Sequence, residues 1–384
     1  MSLERISELF AENFSSRGEL GASVSIWRDG SEILGLAAGY CERDRINKWT
    51  AATPVLVWSA TKGPAAACLL HSLQENSISL ATPVAAIWPD FGQAGKEAIT
   101  LAMLLSHQAG LVALDSQAPL LDYERVIAAL ARQAPLWPPG AGHGYHARTF
   151  GFLLDEVVRR LNDGLPLGRY WRKTFAEPLG LDFWIGMPED RAGDAATVYP
   201  ARSVPPREED PFQAALADPA SLPARAFASP TGLNRVSSMN SSEARTASLP
   251  ALGGIGAARA LARFYAMLAR GGEMDGRTYF TERTLSWMKQ PLVNGPDKVL
   301  RIETSFSAGF MKDPTSQEGT KTRKTFGPSE SAFGHPGAGG SLAFADPENK
   351  IAFAYVMNQM EPGVMSNPKS LLMVEALYHE SSTN

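Results

Sequence analysis

Ser59-Ala60-Thr61-Lys62 sets a hydroxyl and an amine three residues apart. Serine is a weak nucleophile until a neighbouring base takes its proton. At i and i+3 of a helix, two side chains share a face and can meet. Lysine serves as that base only where desolvation or a nearby cation brings its pKa down from about 10.4. A helix start beneath the serine adds a dipole that favours negative charge on its oxygen. The chemistry such a pair supports is nucleophilic acyl transfer through an ester on Ser59.

Spacing alone is weak evidence, because Ser286/Lys289 and Ser366/Lys369 share it. Context separates the three pairs. Ser366-Asn367-Pro368-Lys369 has a proline inside, which predicts no helical turn there. Ser286-Trp287-Met288-Lys289 ends a polar helix before Pro291, so Lys289 reads as a solvated C-terminal charge. Ser59 follows the apolar run Val55-Leu56-Val57-Trp58 and precedes an apolar helix, Ala65–Gln74, which predicts a buried Lys62 beside the serine. The bland alternative is an N-capping serine and a surface lysine. Pro64 falls one turn into that helix and lacks a donor, so its start is expected to be tightened or irregular.

Other chemistries find little support. The chain has no H-E-x-x-H, C-x-x-C, Walker loop or G-x-S-x-G. Gly142-His143-Gly144-Tyr145-His146-Ala147 fits G-x-G-x-x-A, but Trp137-Pro138-Pro139-Gly140 precedes it where a dinucleotide site needs a strand. No metal and no cofactor is expected. A formal charge of −4 on 384 residues leaves no basic footprint for nucleic acid. No apolar run approaches the ~20 residues that cross a bilayer. Cys41 and Cys68 show no metal or redox spacing and read as free thiols of a cytosolic protein. Glu4, Arg5, Glu8 and Glu12 stand where a secretory signal needs an apolar stretch, so a cytoplasmic location is expected.

The elements that must position Ser59 and Lys62 follow from periodicity. Leu3, Ile6, Phe10 and Phe14 fall at helical spacing. Ala22–Trp27 and Glu32–Tyr40 flank an Asp-Gly turn and read as a β-hairpin. Helices are expected over Ile99–Leu105, Tyr123–Arg132, Thr149–Leu161, Leu167–Phe175, Ala257–Arg270 and Ser370–His379. Strands are expected over Phe306–Met311, Gly340–Ala345 and Ile351–Met357. From residue 199 to 250, Pro200, Pro205, Pro206, Pro211, Pro219, Pro223 and Pro230 break any long element. An ordered excursion anchored by Phe212, Leu216, Leu222, Phe227 and Leu233 is expected there. The layout suggests an α/β domain in two parts, residues 1–84 and 250–384, interrupted by a helical domain at 85–249.

Three motifs, in this order, resemble the serine β-lactamase-like hydrolases: Ser59-Ala60-Thr61-Lys62, Leu104-Leu105-Ser106-His107-Gln108-Ala109-Gly110-Leu111, and Gly334-His335-Pro336-Gly337-Ala338-Gly339-Gly340. That superfamily holds class C β-lactamases, penicillin-binding D-alanyl-D-alanine peptidases and family VIII carboxylesterases. Glu177-Pro178-Leu179-Gly180-Leu181 and Gly253-Gly254-Ile255-Gly256 look like lesser landmarks, and the likeness runs from Leu3 to His379. The resemblance implies a mixed fold, α/β plus all-α: an antiparallel sheet built from both termini and flanked by helices, with an inserted helical domain.

It also implies site roles. Tyr145 matches the tyrosine of the family's second motif and would act as phenolate or proton shuttle, its pKa lowered by a cationic Lys62. The Lys62–Tyr145 pair would titrate as a unit, and which of them takes the serine proton stays open. The Ala338 N–H would join that of Ser59 as the oxyanion hole, next to the substrate-binding stretch His335-Pro336-Gly337. His335 is expected as a rim or orienting residue rather than as the base.

Two departures narrow the substrate. Penicillin-recognising members bind a carboxylate and an amide with lysine and asparagine, where this chain has His335 and Ala147. Cell-wall peptidase and efficient β-lactamase activities are therefore disfavoured. The family VIII carboxylesterases fit best, with a small acyl ester as the partner molecule. Acyl transfer to another alcohol, weak β-lactam hydrolysis and a non-catalytic scaffold are the alternatives, and a homo-oligomer is left open.

Overall fold

Asp29 and Gly30 both take positive φ, 50° and 81°, as the tight turn of a right-twisted hairpin requires. They join strands Gly21–Arg28 and Ser31–Gly39. In this computed structural model, which describes residues 3–202 and 210–379, the first of these strands pairs antiparallel with Ile351–Met357, from Ala22 opposite Met357 to Arg28 opposite Ile351. The two chain ends thus close one sheet. Its order is Ser31–Gly39, Gly21–Arg28, Ile351–Met357, Leu342–Asp346, Phe333–Pro336, Met311–Lys312, Glu303–Phe306, Val293–Pro296.

Every residue of Ile351–Met357 is buried. Helix Ala258–Ala269 packs across this strand and both its neighbours. Helix Leu3–Ser15 packs on helix Pro368–Tyr378. A buried network joins them: Tyr355 donates to Glu19 at 2.6 Å, and Lys369 lies 3.2 Å from the same carboxylate.

The middle of the chain is helical. Tyr123–Arg132 and Thr149–Leu161 form with the expected bounds. The expected helix Leu167–Phe175 is instead Leu167–Trp171 continued by a wider π-helical turn, Arg172–Ala176. A small sheet that the sequence analysis did not foresee pairs Val55–Leu56 and Phe183–Ile185 on either side of Gly254–Gly256. In the proline-rich stretch, Pro205 and Pro206 lie outside the described residues. Beyond them, short helices Pro211–Ala217 and Leu222–Ala228 each begin on a proline-bearing first turn and are capped by Asp210 and Ser221. Phe212 is buried, and Leu216, Leu222, Phe227 and Leu233 pack partly buried against the core, as expected.

Two expectations are corrected. Phe306–Met311 is a turn between two strands, with Phe306 paired directly to Met311. Gly309 makes the turn at φ 82°, and a Cβ there would meet Ala66 at 2.2 Å. Pro368 does not prevent a helix. It occupies the first helical position, where its missing N–H costs nothing, and Asn367 caps the turn by accepting from the Lys369 N–H at 3.0 Å. Cys41 and Cys68 are free thiols. Among the described residues, no helix is long and apolar enough to cross a membrane.

Candidate active site

Val55–Leu56 delivers the chain to Trp58, which takes φ 51°, an uncommon conformation for a bulky side chain. Ser59 follows within a 3₁₀ turn, Trp58–Thr61, that runs into helix Lys62–Glu75. This is the irregular start that Pro64 predicts. Ser59 does not cap the helix with its side chain, so the N-cap alternative is not realised. Thr61 locks the turn instead. Its hydroxyl donates to the Trp58 carbonyl and accepts the Gly254 N–H at 2.8 Å.

Lys62 is fully buried. Its Nζ lies 3.2 Å from Ser59 Oγ, 2.9 Å from the Ala147 carbonyl and 2.8 Å from the Ala251 carbonyl. Burial pushes its pKa well below the usual lysine value. A neutral amine has two N–H donors and one lone pair. Lys62 donates to Ser59 Oγ as an ammonium; once neutral, with both N–H donors on the two carbonyls, it turns its lone pair to the Ser59 O–H.

Tyr145 lies over this pair. Lys62 Nζ is 4.7 Å from its ring centre, and Ser59 is the side chain that acts on its hydroxyl against burial. The expected lowering of the phenol pKa is corrected. Burial dominates and pushes it up, and Ser59 offsets only part of that rise. The same burial that disfavours the Lys62 ammonium weakens any help that it could give a phenolate.

The loop carrying Tyr145 is held on both sides. Asp297 Oδ1 accepts the Tyr145 N–H at 3.1 Å. On the other side, His107 accepts the Gly144 N–H at its carbonyl and the His146 N–H at Nδ1, both at 3.1 Å. His146 Nε2 accepts the Leu111 N–H at 3.0 Å, which leaves Nδ1–H to donate to the Gly144 carbonyl at 2.8 Å. The stretch Leu104–Leu111 is thus the mould for the tyrosine loop. Burial lowers the pKa of His107 and takes that of His146 down to about 3, so both rings are neutral.

Strand Phe333–Pro336 and the turn after it form the facing wall. A Cβ on Gly337 would sit 2.1 Å from the Val57 carbonyl, so only glycine lets the strand end approach the chain beside Ser59. Neither the Ser59 nor the Ala338 N–H donates to a carbonyl of the turn that holds it. His335 is not a rim residue. It is 1% exposed, and burial takes its pKa to about 3. Its Nδ1–H donates to the Pro336 carbonyl at 2.7 Å, its ring centre is 5.9 Å from that of Tyr145, and its Nε2 has no partner.

The structure therefore brings together Ser59, Lys62, Tyr145 and the stretch His335–Ala338. Sequence reasoning missed the Ala251 carbonyl, Asp297 and the role of His107 as scaffold. Asp297 follows directly on strand Val293–Pro296, and nothing in its sequence context points toward Tyr145.

An antiparallel sheet closed by both termini, a helical middle and a half-buried serine beside a buried lysine define a β-lactamase-like hydrolase. Residues 6–378 match the family model described as Beta-lactamase, so the chain belongs to that family and is a serine hydrolase. It is 30% identical to "Esterase/beta-lactamase LipL" of Mycobacterium tuberculosis, over 96% of this chain and 84% of that protein. Among solved structures it is similar to a penicillin-binding protein homologue from Caulobacter crescentus, with TM-score 0.86 and 35% identity over 98% of this chain and 96% of that one. A family VIII carboxylesterase gives TM-score 0.86 and 30% identity, with 98% and 96% coverage.

Proposed function

We propose that the protein is a carboxylesterase of small, uncharged acyl esters, working through an acyl-enzyme on Ser59. The observation that carries this reading is the Lys62 amine. It is buried, engaged by two carbonyls and 3.2 Å from Ser59 Oγ.

Ser59 Oγ forms a bond to the ester carbonyl carbon while its proton passes to Lys62. The carbonyl oxygen gains the charge and is met by the N–H groups of Ser59 and Ala338. Such donors contribute about 2.7–4 kcal/mol each to the transition state. The bond to the alcohol then breaks. The alcohol leaves with the proton of the Tyr145 hydroxyl, which the Lys62 ammonium restores. Water attacks the acyl-enzyme, gives its proton to the same pair, and Ser59 leaves protonated.

The polar chemistry of the pocket supports a neutral substrate. His335 is uncharged where penicillin-recognising members carry a lysine, and Ala147 offers a methyl where they carry an asparagine. The name of the Mycobacterium tuberculosis relative also favours a second reading, β-lactam hydrolysis. The test is a panel of p-nitrophenyl acyl esters beside a chromogenic cephalosporin, on wild type and Ser59→Ala. Ester turnover far above cephalosporin turnover, both lost in Ser59→Ala, is expected. Cephalosporin turnover equal to or above that of the esters contradicts the ester assignment.

A further inference from the structure

We propose that Asp297 is a positioning residue of the active site, which holds Tyr145 in register with Ser59 through the Tyr145 backbone N–H and reserves its hydroxyl for proton donation. The proposal rests on the esterase mechanism above and assigns its leaving-group step.

Among the described residues Asp297 forms no ion pair with a lysine or arginine, and backbone N–H groups take their place. Asp297 is 2% exposed. Its Oδ1 accepts three backbone N–H groups: Tyr145 at 3.1 Å, Val299 at 2.8 Å and Leu300 at 2.8 Å. Its Oδ2 accepts the Thr304 hydroxyl at 3.1 Å, and that hydroxyl in turn lies 2.7 Å from His143 Nε2. The His143 carbonyl accepts the Lys298 N–H at 3.0 Å, so the two segments pair along their backbones as well. One carboxylate therefore ties the tyrosine loop to strand Glu303–Phe306, which carries Thr304 and lies next to the edge strand of the main sheet. Phe306 of that strand stacks on the Tyr145 ring at 6.2 Å.

A buried charge this close to a phenol also acts through space. A like charge disfavours a second negative charge, so Asp297 opposes phenolate formation on Tyr145. The other groups around the phenol do not counter it. Lys62, His107 and His335 all face the ring, and burial disfavours the charged form of each. His143 beside Asp297 is also lowered by burial, although Asp297 and Glu303 raise it in part, and Lys298 lowers it further. Burial first, and Asp297 in addition, disfavour the phenolate, so Tyr145 keeps its proton. That suits the step in which the alcohol departs, because an alkoxide needs a proton and a nitrophenolate does not.

The test uses Asp297→Asn and Asp297→Ala in the full chain. Each is assayed on a p-nitrophenyl ester and an ethyl ester of the same acid across pH. Asparagine keeps an oxygen for the three N–H groups but loses the charge, so it separates position from electrostatics even if the alanine variant fails to fold. In Asp297→Asn the alkaline limb of kcat is expected to move to lower pH on the ethyl ester. In Asp297→Ala, kcat/KM, which reports acylation, should fall on the order of 10²-fold on the ethyl ester and far less on the p-nitrophenyl ester. Equal losses on both esters with an unmoved alkaline limb would overturn the proposal and leave Asp297 merely structural. Ser59→Ala is run in parallel. If it keeps activity, the mechanism itself fails, which is a result separate from any outcome at Asp297.

Discussion

Lys62 Nζ stands 3.2 Å from Ser59 Oγ, and its two closer partners are the main-chain carbonyls of Ala147 and Ala251. Main-chain carbonyls cannot shift or ionise, so they fix the amine and its one free lone pair. Lys62→Ala and Lys62→Arg are therefore both expected to lower kcat on a p-nitrophenyl ester by roughly 10²–10⁴. Arginine cannot give up its proton and should not rescue. Partial rescue by arginine would show that the position needs a cation and not a base.

The buried amine also makes stability depend on pH. The folded chain lowers the Lys62 pKa, while the unfolded chain keeps it near 10.4. Between those values the unfolded state binds the extra proton, so unfolding becomes harder as pH rises. The effect is complete above the unfolded value and absent below the folded one. The difference in unfolding free energy, wild type minus Lys62→Met, should therefore rise from pH 7 to pH 10 in urea titrations. A flat difference would mean that Lys62 folds as an ammonium ion.

Gly337→Ala tests the close approach behind the oxyanion site. Its Cβ would need the space of the Val57 carbonyl, 2.1 Å away, so the strand end and the serine turn must separate. Moving the Ala338 N–H out of line should lower kcat by roughly 10²–10³. KM should change little, and both constants are read from one ester titration. Unaltered kcat would exclude this turn from the oxyanion site.

Phe227 brings the proline-rich segment against Tyr145, with its ring 6.4 Å from that of Tyr145 and 5.5 Å from that of Phe212. The loop behind it is clamped by Arg148, which donates to the Pro230 and Gly232 carbonyls at 2.8 Å and 2.7 Å. Phe227→Ala should shift preference toward longer acyl chains, with the octanoyl-to-acetyl ratio of kcat/KM rising roughly 10-fold or more. An unchanged profile across p-nitrophenyl esters would place the acyl group elsewhere.

Much of this site is legible in the sequence. The apolar run before Ser59 and the apolar helix after it already place Lys62 in the interior. Asp29-Gly30 marks the hairpin that starts the sheet. What the sequence hides is long-range. The carbonyls on Lys62 come from positions 85 and 189 residues further along the chain. The direction of the Tyr145 shift depends on how deeply both it and Lys62 are buried, and a close lysine seen only in sequence suggests the opposite sign. Phe306–Met311 reads as a strand because only Gly309 marks its turn, with no Pro, Asn or Asp beside it. Pro368 reads as a helix breaker because a proline at the first helical position looks like one in the interior.

The central claim is a covalent acyl intermediate on Ser59. The most direct measurement is intact-mass and peptide mapping after reaction with a fluorophosphonate probe, on wild type and Ser59→Ala. One adduct per chain, located at Ser59, with complete loss of ester hydrolysis and no adduct in Ser59→Ala, is the expected result. An adduct on another residue, or equal labelling of the two proteins, would contradict it.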